Sequence, residues 1–311
     1  MGIDLTGLRA LSFAKRAYKF DFRNTITLAR QEIHFWKQEY EAVRNDFDFE
    51  YDDTIALGTF CEPLLRKLGA ENVASIDASA FEGASIVHDF NLPVPGSLRE
   101  TFDTFLDFGS IEHIFNVAQV IDNIVNLVKP GGKILLISNA NGFPAHGLFQ
   151  FSPEFFYSVF SRRNGFQDTS VFLVRPSDPK LWHLVRPPAK LKRRNEIPFE
   201  KQALVLVFSV KSSSVAQLSV MQSDYDDSWT QFDSGVQERW DSGRISKWKK
   251  LLHELINPYA YRRIAYLSQS FQVRRKYSAD RILIDPDIVD PADFMKHISG
   301  SATSDVRQGK P

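Results

Sequence analysis

The chain of 311 residues is 43% hydrophobic and 24% charged. That composition suits one large folded domain, or a domain with an appendage, and excludes a disordered or fibrous chain. Its 38 basic and 38 acidic residues cancel, so no global field draws it to nucleic acid or an anionic membrane. The longest apolar runs, such as residues 203–208, fall far short of the about 20 residues that cross a bilayer. A lone cysteine, Cys61, excludes an internal disulfide framework and a cysteine-based zinc site. The expectation is a cytoplasmic protein with no membrane span and no nucleic-acid partner.

The first 20 residues lack the unbroken apolar core of a secretory signal, because Arg9, Lys15, Arg16 and Lys19 interrupt them. They read as a short amphipathic helix. From Asn24 to Arg44, the residues Ile26, Ala29, Ile33, Trp36, Tyr40 and Val43 recur at alternating spacings of three and four, which predicts a second helix. From residue 54 to about 211, short apolar runs at 54–58, 73–76, 86–87, 104–108, 133–138, 170–174 and 203–210 predict strands. Helical stretches at 62–68, 117–128 and 153–163 lie between them. The alternation predicts an α/β fold with a mainly parallel sheet. Lys129-Pro130-Gly131-Gly132 reads as a sharp turn feeding the run at 133–138, and the basic, Pro-rich stretch 175–198 as a loop or inserted lid. After Ser212-Ser213-Ser214 the chain turns polar and helical, with one face at Trp248, Leu251, Leu252 and Leu255 and another at Tyr261, Ile264, Leu267 and Phe271. The expected division is N-terminal helices over 1–51, a core over 52–211, and a mainly helical extension over 212–311 with a frayed tail.

Order carries more than any single motif. A strand ending in Gly58, then a helix, then a strand ending in Asp77 about 19 residues on has the spacing of a Rossmann-like nucleotide site. Glycine lets the backbone approach the ligand, and the acid accepts hydrogen bonds from ribose hydroxyls. His88-Asp89-Phe90-Asn91-Leu92-Pro93 supplies another acid at a strand end, and residues 104–108 lead into Gly109-Ser110-Ile111-Glu112-His113. Cys61 reads as a small buried residue, and no HxH or HExxH spacing among the seven histidines suggests a metal site.

The run from Thr54 to about Phe166 resembles the class I S-adenosylmethionine-dependent methyltransferases. Ala56-Leu57-Gly58-Thr59, Ile76-Asp77-Ala78-Ser79, His88 to Pro93, Phe102 to Asp107, Ile111-Glu112-His113 and Leu127 to Lys133 carry the resemblance. His146-Gly147-Leu148-Phe149-Gln150-Phe151-Ser152-Pro153-Glu154 looks like a segment found in members that modify sugars or small secondary metabolites. The resemblance implies a Rossmann-like, seven-stranded methyltransferase sheet with N-terminal helices and a helical C-terminal extension. It implies S-adenosylmethionine as cofactor, Gly58 beside its methionine part, Asp77 on its ribose, and Asp89 and Phe90 at the adenine. Asp107 and Gly109 would stand where cofactor and acceptor meet. The family's first loop carries two or three glycines; here Gly58 is followed by Thr59, Phe60 and Cys61.

The implied activity is methyl transfer to oxygen or nitrogen of a small-molecule or glycan-type acceptor. Aligning the acceptor and excluding water is most of the protein's task, and a histidine titrating near neutral pH suits a general base. His146 and then His113 are the candidates. The reduced glycine loop leaves a second reading, a cofactor-less pseudo-methyltransferase serving as a binding or scaffold protein. The missing Gly-x-Gly-x-x-Gly argues against a dinucleotide oxidoreductase. A homodimer is compatible with the sequence.

Overall fold

The computed structural model describes residues 2–191, 197, 201–223, 281–286 and 289–299. The helices expected around 248–255 and 261–271, and the tail beyond 299, lie outside them. In chain order the elements are β1 (Gly2–Ile3), α1 (Leu5–Ala17), β2 (Asn24–Leu28), β3 (Glu32–Ile33), α2 (Lys37–Glu41), α3 (Glu62–Lys67), β4 (Asn72–Asp77), β5 (Ile86–Val87) and β6 (Phe102–Phe108). There follow α4 (Val117–Leu127), β7 (Val128–Asn141), α5 (Pro153–Val159), β8 (Phe166–Arg175), β9 (Asp178–Val185), α6 (Pro188–Leu191), β10 (Ala203–Lys211), β11 (Arg281–Ile284) and α7 (Pro291–Ser299).

The fold is α/β around one large mixed sheet in the order β11-β9-β8-β10-β7-β6-β2-β4-β5. Strands β5, β4, β2, β6 and β7 are mutually parallel; β10, β8, β9 and β11 run antiparallel to their neighbours. Side chains alternate between two cores. Leu106, Phe108, Leu135 and Ile137 face a layer built on α1, whereas Phe105, Ile134 and Leu136 face one built on α4 and α5. Helix α1 begins at Asp4, whose side chain accepts from the Gly7 N–H at 2.9 Å. The helix expected in the first 20 residues is there, and it is buried almost all round. Helix α7 closes this face: the Phe294 ring meets that of Phe13 at 5.1 Å.

Five expectations are corrected. The sheet has nine strands among the described residues, where seven were expected. The stretch read as loop or lid contains β9, whose Trp182-His183-Leu184-Val185 is buried on both faces; such a strand shows no alternation. The helix expected from Asn24 to Arg44 is replaced over its first turns by β2, the middle strand of the five parallel ones, and only Lys37–Glu41 is helical. Thr25-Ile26-Thr27-Leu28 is buried on both faces, and β-branched residues favour a strand there. The strand expected at 54–58 is instead a short 3₁₀ turn, Asp53–Ile55, capped by the Asp52 side chain on the Thr54 N–H. The Lys129–Gly132 turn lies inside β7 as an irregularity, across which the pairing shifts from Phe102–Val128 to Thr104–Lys133.

Candidate active site

In the parallel core the chain leaves β2 in both directions, to β4 and β5 on one side and to β6 and β7 on the other. The loops after β2 and β6 therefore diverge, and at such a switch point of an open α/β sheet ligands bind in the crevice beyond the carboxyl ends of the strands. The loop after the central strand is Ala29-Arg30-Gln31, without a glycine; Ala29 itself adopts φ +55°.

On the β6 side, Asp107 is fully buried and its carboxyl oxygens accept from the backbone N–H groups of Ser110 (2.9 Å) and Ile111 (3.3 Å). Burial first, and the neighbouring Glu112 second, push its carboxyl up to about 8. With Gly109 at φ +94°, this cap turns the chain into the short helical turn Ile111–His113. Glu112 points inward, 1% exposed, and its Oε2 accepts from the Ser138 hydroxyl at 2.8 Å. His113 points outward and is exposed.

The loop after β7 is stapled to that turn. The Leu148 and Phe149 N–H groups both donate to the Glu112 carbonyl, at 2.7 and 3.2 Å. Gly147 sits so close that a Cβ there would lie 2.9 Å from Glu112 Cγ. The staple brings the exposed His146 beside His113, with ring centroids 5.1 Å apart at 61°. Ligating atoms of Glu112, His113 and His146 lie within 4.8 Å of one another. Between the two sides, the Gln31 amide nitrogen donates to the Leu28 carbonyl and to Ser110 Oγ. Its Oε1, fully buried, has no partner among the described residues.

On the β4 side, Asp77 ends β4 with a half-buried carboxylate, one oxygen of which accepts from the Ser79 N–H at 3.3 Å. Asp89 lies in the exposed turn after β5; its Oδ1 accepts from the N–H and the amide of Asn91 (2.9 and 2.8 Å). The Asn91 backbone N–H foremost holds its carboxyl below the usual range. Phe90 is buried at 3% exposure and belongs to the α4 core. Gly58, at φ +83°, does not end a strand of the sheet; its N–H donates to the Ile33 carbonyl at 2.8 Å. Residues 58–61 thereby pair back onto 31–33, with Glu32 bridged to Phe60, so the turn still lies against the loop after β2. The 19-residue spacing from Gly58 to Asp77 is thus not the spacing between adjacent strands, since β2 precedes β4 in the sheet. Arg30 locks this side, donating to Glu62 Oε1 (2.6 Å) and to the Glu82 carbonyl (2.7 Å) while lying 3.8 Å over the Phe60 ring. Cys61 is buried, and burial drives its thiol up to about 12, which removes it as a nucleophile.

Large apolar side chains stand exposed on the loops after the parallel strands: Phe81 after β4, Leu92 after β5, Phe115 after β6 and Leu148 after β7. The residues that sequence reasoning passed over are Gln31, Ser110, Glu112 and Ser138. Only Glu112 carried a signal, its place beside His113.

No family model and no curated protein matches the chain. Among solved structures 141 chains match, and S-adenosylmethionine-dependent methyltransferases recur among these neighbours at low identity. The YcgJ protein of Bacillus subtilis is 13% identical over 68% of this chain and 99% of its own, with a TM-score of 0.35. Phosphoethanolamine N-methyltransferase 2 of Haemonchus contortus, bound to S-adenosyl-L-methionine, is 13% identical over 66% and 53%, TM-score 0.37. A methyltransferase of Thermotoga maritima, described as a possible histamine N-methyltransferase, is 15% identical over 67% and 91%, TM-score 0.31.

Proposed function

We propose that this chain is an S-adenosylmethionine-dependent methyltransferase acting on oxygen or nitrogen of a small-molecule or glycan-type acceptor. The observation that carries the reading is the pairing of His113 and His146 on one side of the switch-point crevice, with the Asp77 carboxylate at the end of β4 on the other.

The polar groups around the loop after β2 fit the cofactor. Asp77 has a carboxylate oxygen with no partner among the described residues, suited to ribose hydroxyls. Gln31 Oε1 is a buried acceptor without a donor among the described residues, suited to an ammonium. Gly58, against the loop after β2, meets only Glu32 Oε1, at 3.5 Å from a built Cβ, which leaves its backbone approachable. Bound there, S-adenosylmethionine supplies a methyl group on a sulfonium, an electrophile that carries its own good leaving group. The exposed apolar side chains Phe115 and Leu148 exclude water around an acceptor. The proton that an attacking hydroxyl or amine gives up passes to the histidine pair, at an imidazole ring nitrogen.

A second reading has an observation of its own. The loop after β2 holds Ala29, Arg30 and Gln31 in place of glycines, and Arg30 is pinned across it, which favours a scaffold without a cofactor. Calorimetric titration with S-adenosylhomocysteine separates the two. Micromolar binding, about −8 kcal/mol, that weakens at least tenfold in Asp77→Ala supports the methyltransferase. No heat up to millimolar ligand supports the scaffold.

A further inference from the structure

We infer that Glu112, His113 and His146 bind one divalent cation of the zinc class. Two imidazoles and one carboxylate form a donor set that zinc takes in catalytic sites, where the fourth position is left to water or substrate. The ligating atoms come from two different loops and lie within 4.8 Å of one another. Bonds of 2.0–2.1 Å in a tetrahedron place donors about 3.4 Å apart. An ion bound there would draw the donors together, the two exposed imidazoles turning toward the carboxylate.

Three features mark the cluster as built. The backbone is fixed, since both Leu148 and Phe149 donate to the Glu112 carbonyl and Gly147 is packed against the Glu112 side chain. The carboxylate is oriented from behind by the Ser138 hydroxyl on Oε2, the outer-shell hydrogen bond that metal-binding carboxylates use. The carboxylate has no basic partner: Glu112 is 1% exposed, yet among the described residues it pairs with no lysine or arginine. A buried carboxylate is costly without a cation, and among the described residues the imidazoles of His113 and His146 are the ligating groups clustered with Glu112.

The inference deepens the methyltransferase reading and rests on it only for the consequence. An acceptor hydroxyl on the open position of the ion would lose its proton to water at a lowered pKa. Its oxygen would keep the electron pair, form the bond to the methyl carbon, and leave the C–S electrons on sulfur. The two imidazoles would then serve as ligands, with the ion setting the acceptor's acidity.

The test is titration of the metal-stripped protein with Zn²⁺, and with Co²⁺ as a spectroscopic probe, in the absence of S-adenosylmethionine or acceptor. One Zn²⁺ per chain is expected, with a tetrahedral Co²⁺ visible spectrum. Affinity should drop at least tenfold in each of His113→Ala, His146→Ala and Glu112→Gln. Both histidines are exposed, so their replacements keep the fold, which circular dichroism verifies; His113→Gln and His146→Asn serve if either alanine variant does not fold. Absence of saturable binding, or binding undiminished in the double histidine variant, overturns the inference. A protein that binds Zn²⁺ but no S-adenosylhomocysteine overturns only the proposed activity. The reverse overturns only the metal site.

Discussion

Leu148 donates its backbone N–H to the Glu112 carbonyl at 2.7 Å, and this hydrogen bond joins the loop after β7 to the turn after β6. It explains why two histidines that follow different strands share one mouth. Rigid loops fixed in this way can hold chemistry to the tolerance that catalysis requires.

His146→Ala removes an exposed ring, so stability should change by no more than about 0.5 kcal/mol. Affinity for S-adenosylhomocysteine should stay unchanged, because Asp77 and Gly58, the groups proposed to hold the cofactor, lie outside the histidine cluster. Turnover should fall about 10²–10⁴-fold. Denaturation, calorimetry and a methyl-transfer assay on a panel of small hydroxyl and amine acceptors measure the three. Unchanged turnover removes His146 from the reaction.

Gly147→Ala tests the staple. The residue sits at φ +73°, and its new Cβ would lie 2.9 Å from Glu112 Cγ and 3.0 Å from the Glu112 oxygen. The conformational penalty and the displaced Glu112 should together cost about 1–3 kcal/mol, read by urea denaturation. Turnover should fall as His146 moves away from His113. Equal stability and activity would show that the loop is free to shift.

Asp107 links stability to pH. Its carboxyl rises from 3.8 to about 8 in the folded chain, so between those values the folded protein holds a proton that the unfolded chain has released. The contribution is fully present below pH 3.8 and is lost as pH rises through about 8. Over that window it falls by about 1.4 kcal/mol per pH unit. Asp107→Asn abolishes this titration, so the stability of the variant relative to the parent should increase from pH 5 to pH 8. Parallel urea curves for the two proteins at both pH values would contradict the burial of an acid there.

Ile26→Ala discriminates between a central strand and a surface helix at the same position. In β2 the side chain is 0% exposed in the α4 core, and its loss should cost about 2–5 kcal/mol. A cost below about 0.5 kcal/mol would return residues 24–28 to the surface.

By itself the sequence determined the α/β class and most strands of the parallel core. Residues 73–76, 86–87, 104–108 and 133–138 all lie within strands of the sheet, because short apolar runs bounded by Gly, Pro and Asp are local signals. It also singled out His113 and His146, each placed just after a strand. The central strand was hidden, since Asn24–Leu28 is buried on both faces and the neighbouring apolar residues fall by coincidence at helical spacing. Asp77 was found at the correct strand end by a spacing argument that started from the wrong strand. Which strand lies in the middle of the parallel core, that Gly58 folds back onto residues 31–33, and that Glu112 turns inward beneath two histidines were decided by tertiary structure alone. Each depends on pairing between segments distant in the chain, where local patterning carries no information about which partner will be met.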